Sequence, residues 1–216
     1  GWGGNTGGTS GDYNSGVMLW GTNARITSSG GAVLVAGTGG GAGNGRGNYG
    51  VNVSNPGTIT SAGPQATVTV TGVSNAAATG SDNTGVNIYM GSITSSGGDI
   101  AVNGTGGGGP SGYGIQISDG GQILGTTGTP TVTLTADAMN LLSTTSVDAG
   151  ANAVLLRPRT AGTRIDLGGA DVLAGSPLTL GLTDAELDSV TAGTLTIGDG
   201  ASGAITVSAA VSRPGS

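Results

Sequence analysis

The chain has 216 residues with a net charge of −6, and 48 of them are Gly, while only 8% are charged and 3% aromatic. It contains no Cys and no His, which excludes disulfides, thiol catalysis, a Ser-His-Asp triad and the usual zinc sites. Its six basic residues are scattered, which argues against nucleic acid as a partner because phosphate binding needs a concentrated basic patch.

Short apolar runs recur from the start of the chain to its end. They are rich in Val, Ile and Thr and are bounded by Gly, Asn, Ser and Asp, a pattern that predicts ordered short strands rather than disorder. The runs lie at residues 17–20, 32–36, 67–71, 85–89, 131–135, 153–156, 194–197 and 204–207. None approaches the roughly 18 apolar residues that a membrane span needs, so we expect no such span.

The first half of the chain contains a repeat. Asn14-Ser-Gly-Val17 returns at residues 48–51 and 83–86, and more loosely at 112–115, so that the central glycines are 34, 35 and 29 residues apart. Each of the first three copies precedes an Ile-Thr-Ser run and then a third apolar run. A polar Gly-rich stretch, such as residues 37–47 or 104–112, closes the unit.

Three strands in a unit of about 30 residues predict one rung of a right-handed parallel β-helix. Equivalent residues should then stack in columns, one of them formed by Ile26, Ile59 and Ile93. In residues 67–71 the threonines should point outward and the valines inward. We interpret residues 1–140 as the repeat region and 141–216 as continuing, more divergent rungs of one solenoid. Thr183-Asp-Ala-Glu186 predicts either a capping box on a short helix or a rung corner.

Residues 181–198, followed by Ser202-Gly-Ala-Ile-Thr-Val207, resemble the repeat regions of filamentous-haemagglutinin-like exoproteins and autotransporter passenger domains of Gram-negative bacteria. The Gly-Ser-Ile-Thr-Ser-Ser-Gly-Gly phrase at residues 91–98 is similar in style. The Asn-Pro-Asn motif of such proteins has only Asn55-Pro-Gly57 as its nearest match, which we interpret as a turn. The resemblance implies a portion of a long secreted or surface-displayed exoprotein with a structural or adhesive shaft.

The carboxylates and arginines of the second half are the candidates for catalysis. Glycoside hydrolysis needs two carboxylates about 5–10 Å apart, and the sequence offers Asp166 with Asp171 and a cluster of Asp184, Glu186 and Asp188. The arginines are Arg157, Arg159 and Arg164. Because His and Lys are both missing from the sequence, we interpret these groups as outward residues or corner caps. We therefore predict no catalytic residue, no enzyme activity and no cofactor.

Metal binding is the next possibility that the sequence raises. Residues 168–175 match half of a calcium-binding nonapeptide repeat, and one copy does not build a site that needs adjacent turns. Ser118-Asp-Gly120 and Gly198-Asp-Gly200 are favourable β-turn sequences in their own right. We predict structural turns at these places and no metal site.

The six aromatic residues allow three roles. They could stack on sugar rings, pack against a neighbouring subunit, or plug the N-terminal end of the coil, and the plug is the role that we expect for two of them, Trp2 and Tyr13. The other four are Trp20, Tyr49, Tyr89 and Tyr113.

The expected function is a structural or adhesive segment of an extracellular fibre, secreted or at the cell surface. The alternatives are a self-assembling filament subunit that stacks end to end, and a carbohydrate-active β-helix of the lyase or hydrolase type. Residues 203–211 remain strand-like without a helix to cover them, and Pro214 blunts only one strand. We therefore expect the coil to continue in the same fibre or in a neighbouring copy, with surface glycans as further partners.

Overall fold

The computed structural model describes residues 11–125 and 127–213, and within them the chain forms a parallel β-helix. The first three rungs contain three strands each: β1 (Val17–Trp20), β2 (Arg25–Ser28), β3 (Val33–Thr38), β4 (Val51–Ser54), β5 (Thr58–Ser61), β6 (Val68–Val73), β7 (Val86–Tyr89), β8 (Ser92–Ser95) and β9 (Ile100–Thr105). The next two rungs contain β10 (Ile115–Ser118), β11 (Gln122–Leu124), β12 (Val132–Thr135), β13 (Met139–Leu141), β14 (Ser146–Asp148) and β15 (Ala153–Arg157).

Equivalent strands of successive rungs pair in parallel and build three sheets. Sheet I has the order β1-β4-β7-β10-β13, and sheet II begins with β2-β5-β8-β11-β14. Sheet III begins with β3-β6-β9-β12-β15. The rungs shorten along the chain, because 34 residues separate Val17 from its partner Val51 but only 24 separate Ile115 from Met139.

After β15 the chain forms strands outside sheets I to III, and two later strands extend sheets II and III again. Its elements are β16 (Arg164–Leu167), β17 (Thr179–Leu182), α1 (Asp184–Asp188), β18 (Val190–Thr191), β19 (Thr194–Ile197) and β20 (Ile205–Val207). Strands β18 and β19 extend sheets II and III, whereas β17, β16 and β20 form a separate parallel sheet, sheet IV. Helix α1 begins with a capping box formed by Thr183 and Glu186, which is the first of the two alternatives that the sequence left open.

The predicted columns are confirmed. Ile59 pairs with Ile26 on one side and Ile93 on the other, and Val51 lies between Val17 and Val86. Ile59, Ile93 and Val51 are all fully buried. The β-branched side chains suit the pleated surface of a strand, and full burial of each contributes roughly 1.5–3 kcal/mol. This stack is the hydrophobic core.

The corner after sheet I has a residue with a positive φ in four rungs. Gly21, Asn55, Met90 and Asp119 each follow a strand of this sheet, and each has a positive φ, of 102°, 51°, 56° and 52°. This left-handed conformation favours Gly and tolerates Asn and Asp, whereas an ordinary side chain is strained there. Among these four corner residues, Met90 is therefore the one whose side chain does not suit the left-handed conformation.

Three arms, residues 39–49, 74–84 and 106–113, project from the coil between sheets III and I and stack on one another, and the first and third are rich in glycine. The N–H of Gly43 donates to the carbonyl of Ala77, and that of Gly108 to the carbonyl of Ala78. Where an arm leaves and rejoins the coil, two glycines meet backbone to backbone. A Cβ on Gly72 would collide with the carbonyl of Gly85, and Gly37 meets Gly50 in the same way. The repeated glycines thus close the base of each arm.

Asparagines connect the arms in a ladder. Asn14 donates from its backbone N and Nδ2 to Asn48 Oδ1, and Asn48 donates in the same way to Asn83 Oδ1 at 3.0 and 3.1 Å. Asn83 Nδ2 donates onward to the carbonyls of Gly45 and Gly80. Asn48 and Asn83 are fully buried. These bonds explain why Asn recurs two residues before the glycine in the repeat.

Across the described residues, no helix has the length and apolar character that crossing a lipid bilayer would need.

Candidate functional site

The outward side of sheet I carries the side chains with the most recognisable binding chemistry. One outward column is formed by Met18, Asn52, Asn87 and Gln116, which are partners in the ladder. The column beside it begins with Trp20 and Ser54 and continues through Tyr89 and Ser118. Amides therefore line one row of this face, and rings alternate with small hydroxyl residues in the next.

These columns line a shallow depression that we name the aromatic–amide groove, with a volume of about 290 Å³. It crosses the strands of four rungs, and the strand spacing gives it a length of about 14 Å along the coil. Its lining residues are Tyr13, Met18, Trp20, Tyr49, Asn52, Ser54, Asn87, Tyr89, Gln116, Ser118, Asp119 and Leu142.

The amides at the floor of the groove are partly satisfied by one another. Asn87 Nδ2 and Ser54 Oγ both donate to Asn52 Oδ1, at 2.9 and 2.6 Å, and Thr84 Oγ1 donates to Gln116 Oε1 at 3.3 Å. Within residues 11–125 and 127–213, Asn52 Nδ2, Asn87 Oδ1 and Gln116 Nε2 have no partner of their own. Asn52 and Asn87 are only 3% and 6% exposed, so these donors and acceptors are held at fixed positions.

The aromatic rings form the walls of the groove. Trp20 is 62% exposed and Tyr13 is 60% exposed, and the guanidinium of Arg46 lies 5.8 Å from the centre of the Tyr13 ring. Burial, then the carboxylate of Asp82 and then Tyr13 raise the pKa of Tyr49 to about 12, which keeps its hydroxyl protonated. The prediction that Tyr13 plugs the end of the coil is wrong, because its ring stands in solvent beside the groove. Trp2 lies outside the described residues.

A second feature, which we name the carboxylate edge, lies at the end of sheet I and consists of Asp171 and Glu186. In earlier rungs the N–H of Val51 or Val86 donates to a carbonyl of the next rung. Met139 occupies the same column but donates to Asp171 Oδ2 at 3.0 Å, and Leu141 donates to Glu186 Oε1 at 3.2 Å. Side-chain carboxylates thus replace the backbone of a further strand.

Each oxygen of both carboxylates accepts at least one hydrogen bond. Asp171 Oδ1 accepts from the N–H of Gly181 at 2.8 Å, and Glu186 Oε2 accepts from the N–H and hydroxyl of Thr183. Burial is the largest cause that raises the pKa of Asp171 to about 8. The hydrogen bond from the N–H of Gly181 lowers this pKa, the charge of Glu186 raises it, and the hydrogen bond from the N–H of Met139 lowers it. Burial and the same two carboxylates also raise the pKa of Tyr113. A cleft of about 490 Å³ opens beside them.

The remaining predicted acids lie in other hydrogen-bond networks. Asp166 accepts from Thr206 and Ser208, and Asp184 accepts from Ser212. Asp188 is exposed on α1. Asp166 and Asp184 thus hold hydroxyl and backbone groups of residues 206–212, while Asp184, Glu186 and Asp188 lie together on α1.

The three arginines do not gather in one place either. Arg157 Nη1 lies 3.2 Å from Asp199 Oδ2, whereas Arg159 and Arg164 are exposed. The structure brings no arginine of this group to the carboxylate edge.

Of the three segments considered for calcium binding, residues 118–120 and 198–200 are turns, whereas residues 168–175 contain Asp171 of the carboxylate edge and Val172, which forms a bridge with Thr179. Asp119 and Gly120 both have positive φ, and Asp199 Oδ1 accepts from the N–H groups of Ala201 and Ser202. In the part of the chain that the structure describes, no three acidic or other metal-ligating side chains form a group that could hold an ion.

Comparisons with models of protein families, with curated proteins and with solved structures found no match to this chain. Its function is therefore argued from its own residues. Sequence reasoning did not find the amide row or the carboxylate edge. The amide row could have been found, since Asn52 and Asn87 each follow the repeated Gly-Val in the sequence. The carboxylate edge could not, because it joins residues separated by more than 30 positions that belong to no repeat.

Proposed function

We propose that this chain is a stiff structural segment of an extracellular fibre that spaces a binding surface away from its point of attachment. The observation that carries the proposal is the unbroken register of parallel pairing through β1-β4-β7-β10-β13. Each rung is hydrogen-bonded to the next in three sheets at once, which resists bending.

The second role, a subunit that stacks end to end, is supported by the last described rung. Strands β18, β19 and β20 each lie at the end of their sheet in this part of the chain. An apolar cavity of about 370 Å³ opens there among Leu187, Leu195, Ile197 and Val211. Unpaired strand edges beside exposed apolar side chains favour pairing with another chain.

A catalytic role is the alternative that we do not favour. A general acid or base must be positioned to exchange a proton with its substrate, whereas each oxygen of Asp171 and Glu186 accepts a backbone N–H of this chain. The hydrogen bonds support a structural use of these carboxylates. We expect no turnover of pectin, alginate or other acidic glycans.

Immuno-electron microscopy tests the fibre role directly. Antibodies raised against the purified chain should label extended structures outside intact cells of the source organism. Label confined to the cell interior would overturn the proposal.

Sedimentation of the purified chain over a range of concentrations tests the stacking role, since a monomer throughout would rule it out. Glycan turnover that is abolished by Asp171→Asn would establish the enzyme instead.

A further inference from the structure

The groove on sheet I has the features of a ligand site. Asn52 and Asn87 are more than nine-tenths buried, yet Asn52 Nδ2 and Asn87 Oδ1 have no partner within the described residues and line the groove. Both atoms nevertheless reach solvent at the groove, since Ser15 Oγ is the one fully buried side-chain polar atom without a partner among the described residues, and a ligand hydroxyl can replace the water that meets them. The groove therefore presents one donor and one acceptor that a ligand can complete.

The chemistry of the walls restricts what that ligand can be. Exposed rings such as Trp20 and Tyr89 offer flat apolar faces, whereas the floor between them offers amides. A sugar ring has C–H groups on its faces and hydroxyls at its edge, so one ring can meet both surfaces together. A purely apolar partner would leave the amides unsatisfied, and a purely polar one would leave the aromatic rings uncovered.

Charge narrows the ligand further. Among the lining residues, all of which are described, Asp119 is the one with a charged side chain, and no arginine is present. Arg46, which lies over the Tyr13 ring beside the groove, is paired with the carboxylate of Asp12 at 3.7 Å, so the carboxylate of Asp119 is left to repel an anionic ligand. The chemistry selects an uncharged ligand over an acidic one.

The shape of the groove indicates that its ligand is a polymer rather than a compact molecule. The groove is open and crosses four rungs, and Trp20 and Tyr89 lie two rungs apart in the same column, a separation of about 10 Å. Small-molecule pockets usually enclose most of their ligand, whereas this surface leaves one side of its ligand in solvent.

We propose that the aromatic–amide groove binds a neutral polysaccharide, with Trp20 and Tyr89 stacking on its sugar rings and Asn52 and Asn87 binding its hydroxyls. The proposal rests on the adhesive part of the proposed function and gives it a ligand class. The shaft part is tested by the location of the protein, so that failure of either can be told from failure of the other.

Affinity electrophoresis of the full chain through gels that contain dextran, mannan, galactomannan or xyloglucan is the test. At least one of these polymers should retard the protein, while polygalacturonate and alginate should not. Retardation by an acidic polymer alone, or by none of the six, would overturn the proposal.

Variants assign the binding to the groove. Trp20→Ala and Tyr89→Ala should each weaken binding roughly tenfold, and Asn87→Ala should weaken it as well. The control is Leu34→Ala, because Leu34 is 75% exposed on sheet III, away from the groove. Trp20 and Leu34 are both exposed, so both variants should keep the fold, which circular dichroism verifies. Equal affinity for wild type and Trp20→Ala would overturn the assignment.

Sedimentation velocity separates a glycan from a second copy of the chain as the occupant. If the wild type forms a dimer that Trp20→Ala abolishes, the groove is a protein interface and the proposal is wrong. A monomer in both variants, together with the loss of glycan binding, supports it.

Discussion

Asn48 and Asn83 lie 35 residues apart in the sequence, and both are completely buried side by side, with Asn48 Nδ2 donating to Asn83 Oδ1 at 3.1 Å. The backbone N–H of Asn48 donates to the same oxygen at 3.0 Å. One side chain therefore satisfies two donors of the rung before it. Because Asn recurs at the same position of each repeat, these hydrogen bonds fix which residues of neighbouring rungs lie side by side.

Removal of this contact should destabilise the protein. Asn83→Ala leaves two donors of Asn48 and the carbonyls of Gly45 and Gly80 without their bonds, and unsatisfied buried groups cost about 1–3 kcal/mol. Urea denaturation should show at least that loss. Asn44→Ala is the control, since Asn44 is exposed on the arm that carries Asn48 and its removal should change the free energy of unfolding by less than about 0.5 kcal/mol. Equal losses in the two variants would contradict a structural role for the ladder.

The base of each arm should not tolerate a side chain. A Cβ on Gly72 would overlap the carbonyl of Gly85 and the side chain of Val86, and overpacking typically costs about 1–3 kcal/mol. Gly72→Ala should therefore lower the melting temperature clearly. Gly30→Ala, where a Cβ meets no atom within 4 Å, is the matched control and should melt like the wild type. A Gly72→Ala variant as stable as this control would show that the arms do not close as described.

Met90 should be replaceable with a gain in stability. Its φ of 56° is the left-handed conformation, which costs an ordinary residue about 1–2 kcal/mol and Asn less. Because Asn55 already occupies the same corner in the previous rung, Met90→Asn should raise the free energy of unfolding by about 0.5–1 kcal/mol. Met18→Asn, which changes an equally exposed Met within a strand, should not. If both changes act alike, composition rather than backbone strain is responsible.

The core column should reject a charge. Ile59 is fully buried between Ile26 and Ile93, and an unpaired interior charge costs several kcal/mol. Ile59→Asp should therefore abolish cooperative folding, as seen in the circular dichroism and the melting curve. Thr27→Asp places the same carboxylate on the outer face of the same sheet, where it stays solvated, and should preserve folding. A folded Ile59→Asp variant would contradict the inward orientation of this column.

The sequence predicted the coil well because each rung repeats the same local pattern. Val17, Val51 and Val86 recur at the spacing of one rung, so this spacing specifies which residues of neighbouring rungs pair. The parallel ladder follows from it. The separate sheet formed by β17, β16 and β20 was not predicted, although the apolar run at residues 204–207 had indicated the strand β20. No repeat connects Arg164 with Thr179, and their pairing depends on where the chain leaves the coil.

The candidate site was less predictable for a related reason. The aromatic residues and the acids could be recognised by type, but their neighbours depend on which rung and which face each one occupies. Trp20 and Tyr89 join one wall because the repeat places both at the last outward position of sheet I. Asp171 reaches Met139 only through the folding of residues 164–182, which carry no repeat.

The carboxylate edge predicts an unusual dependence of stability on pH. The carboxyl of Asp171 has a pKa of about 8 in the folded protein, because burial disfavours its charged form, and near 3.9 in the unfolded chain. Between these values the folded state holds a proton that the unfolded state has released. The free energy of unfolding therefore falls as the pH rises from about 4 to about 8. Since the sequence contains no His, no histidine titration overlaps this window.

Melting temperatures between pH 5 and pH 8 measure this effect. The wild type should melt at progressively lower temperature as the pH rises, and Asp171→Asn should remove most of the slope, whatever its cost to stability at a single pH. Asp188→Asn, which changes an exposed carboxylate on α1, should keep the slope of the wild type. Should Asp171→Asn unfold, the ¹³C shift of the Asp171 carboxyl in the wild type still reports its pKa directly. A wild type that becomes more stable with rising pH, or a carboxyl that titrates near 4, would mean that the two backbone N–H donors outweigh burial at the end of sheet I.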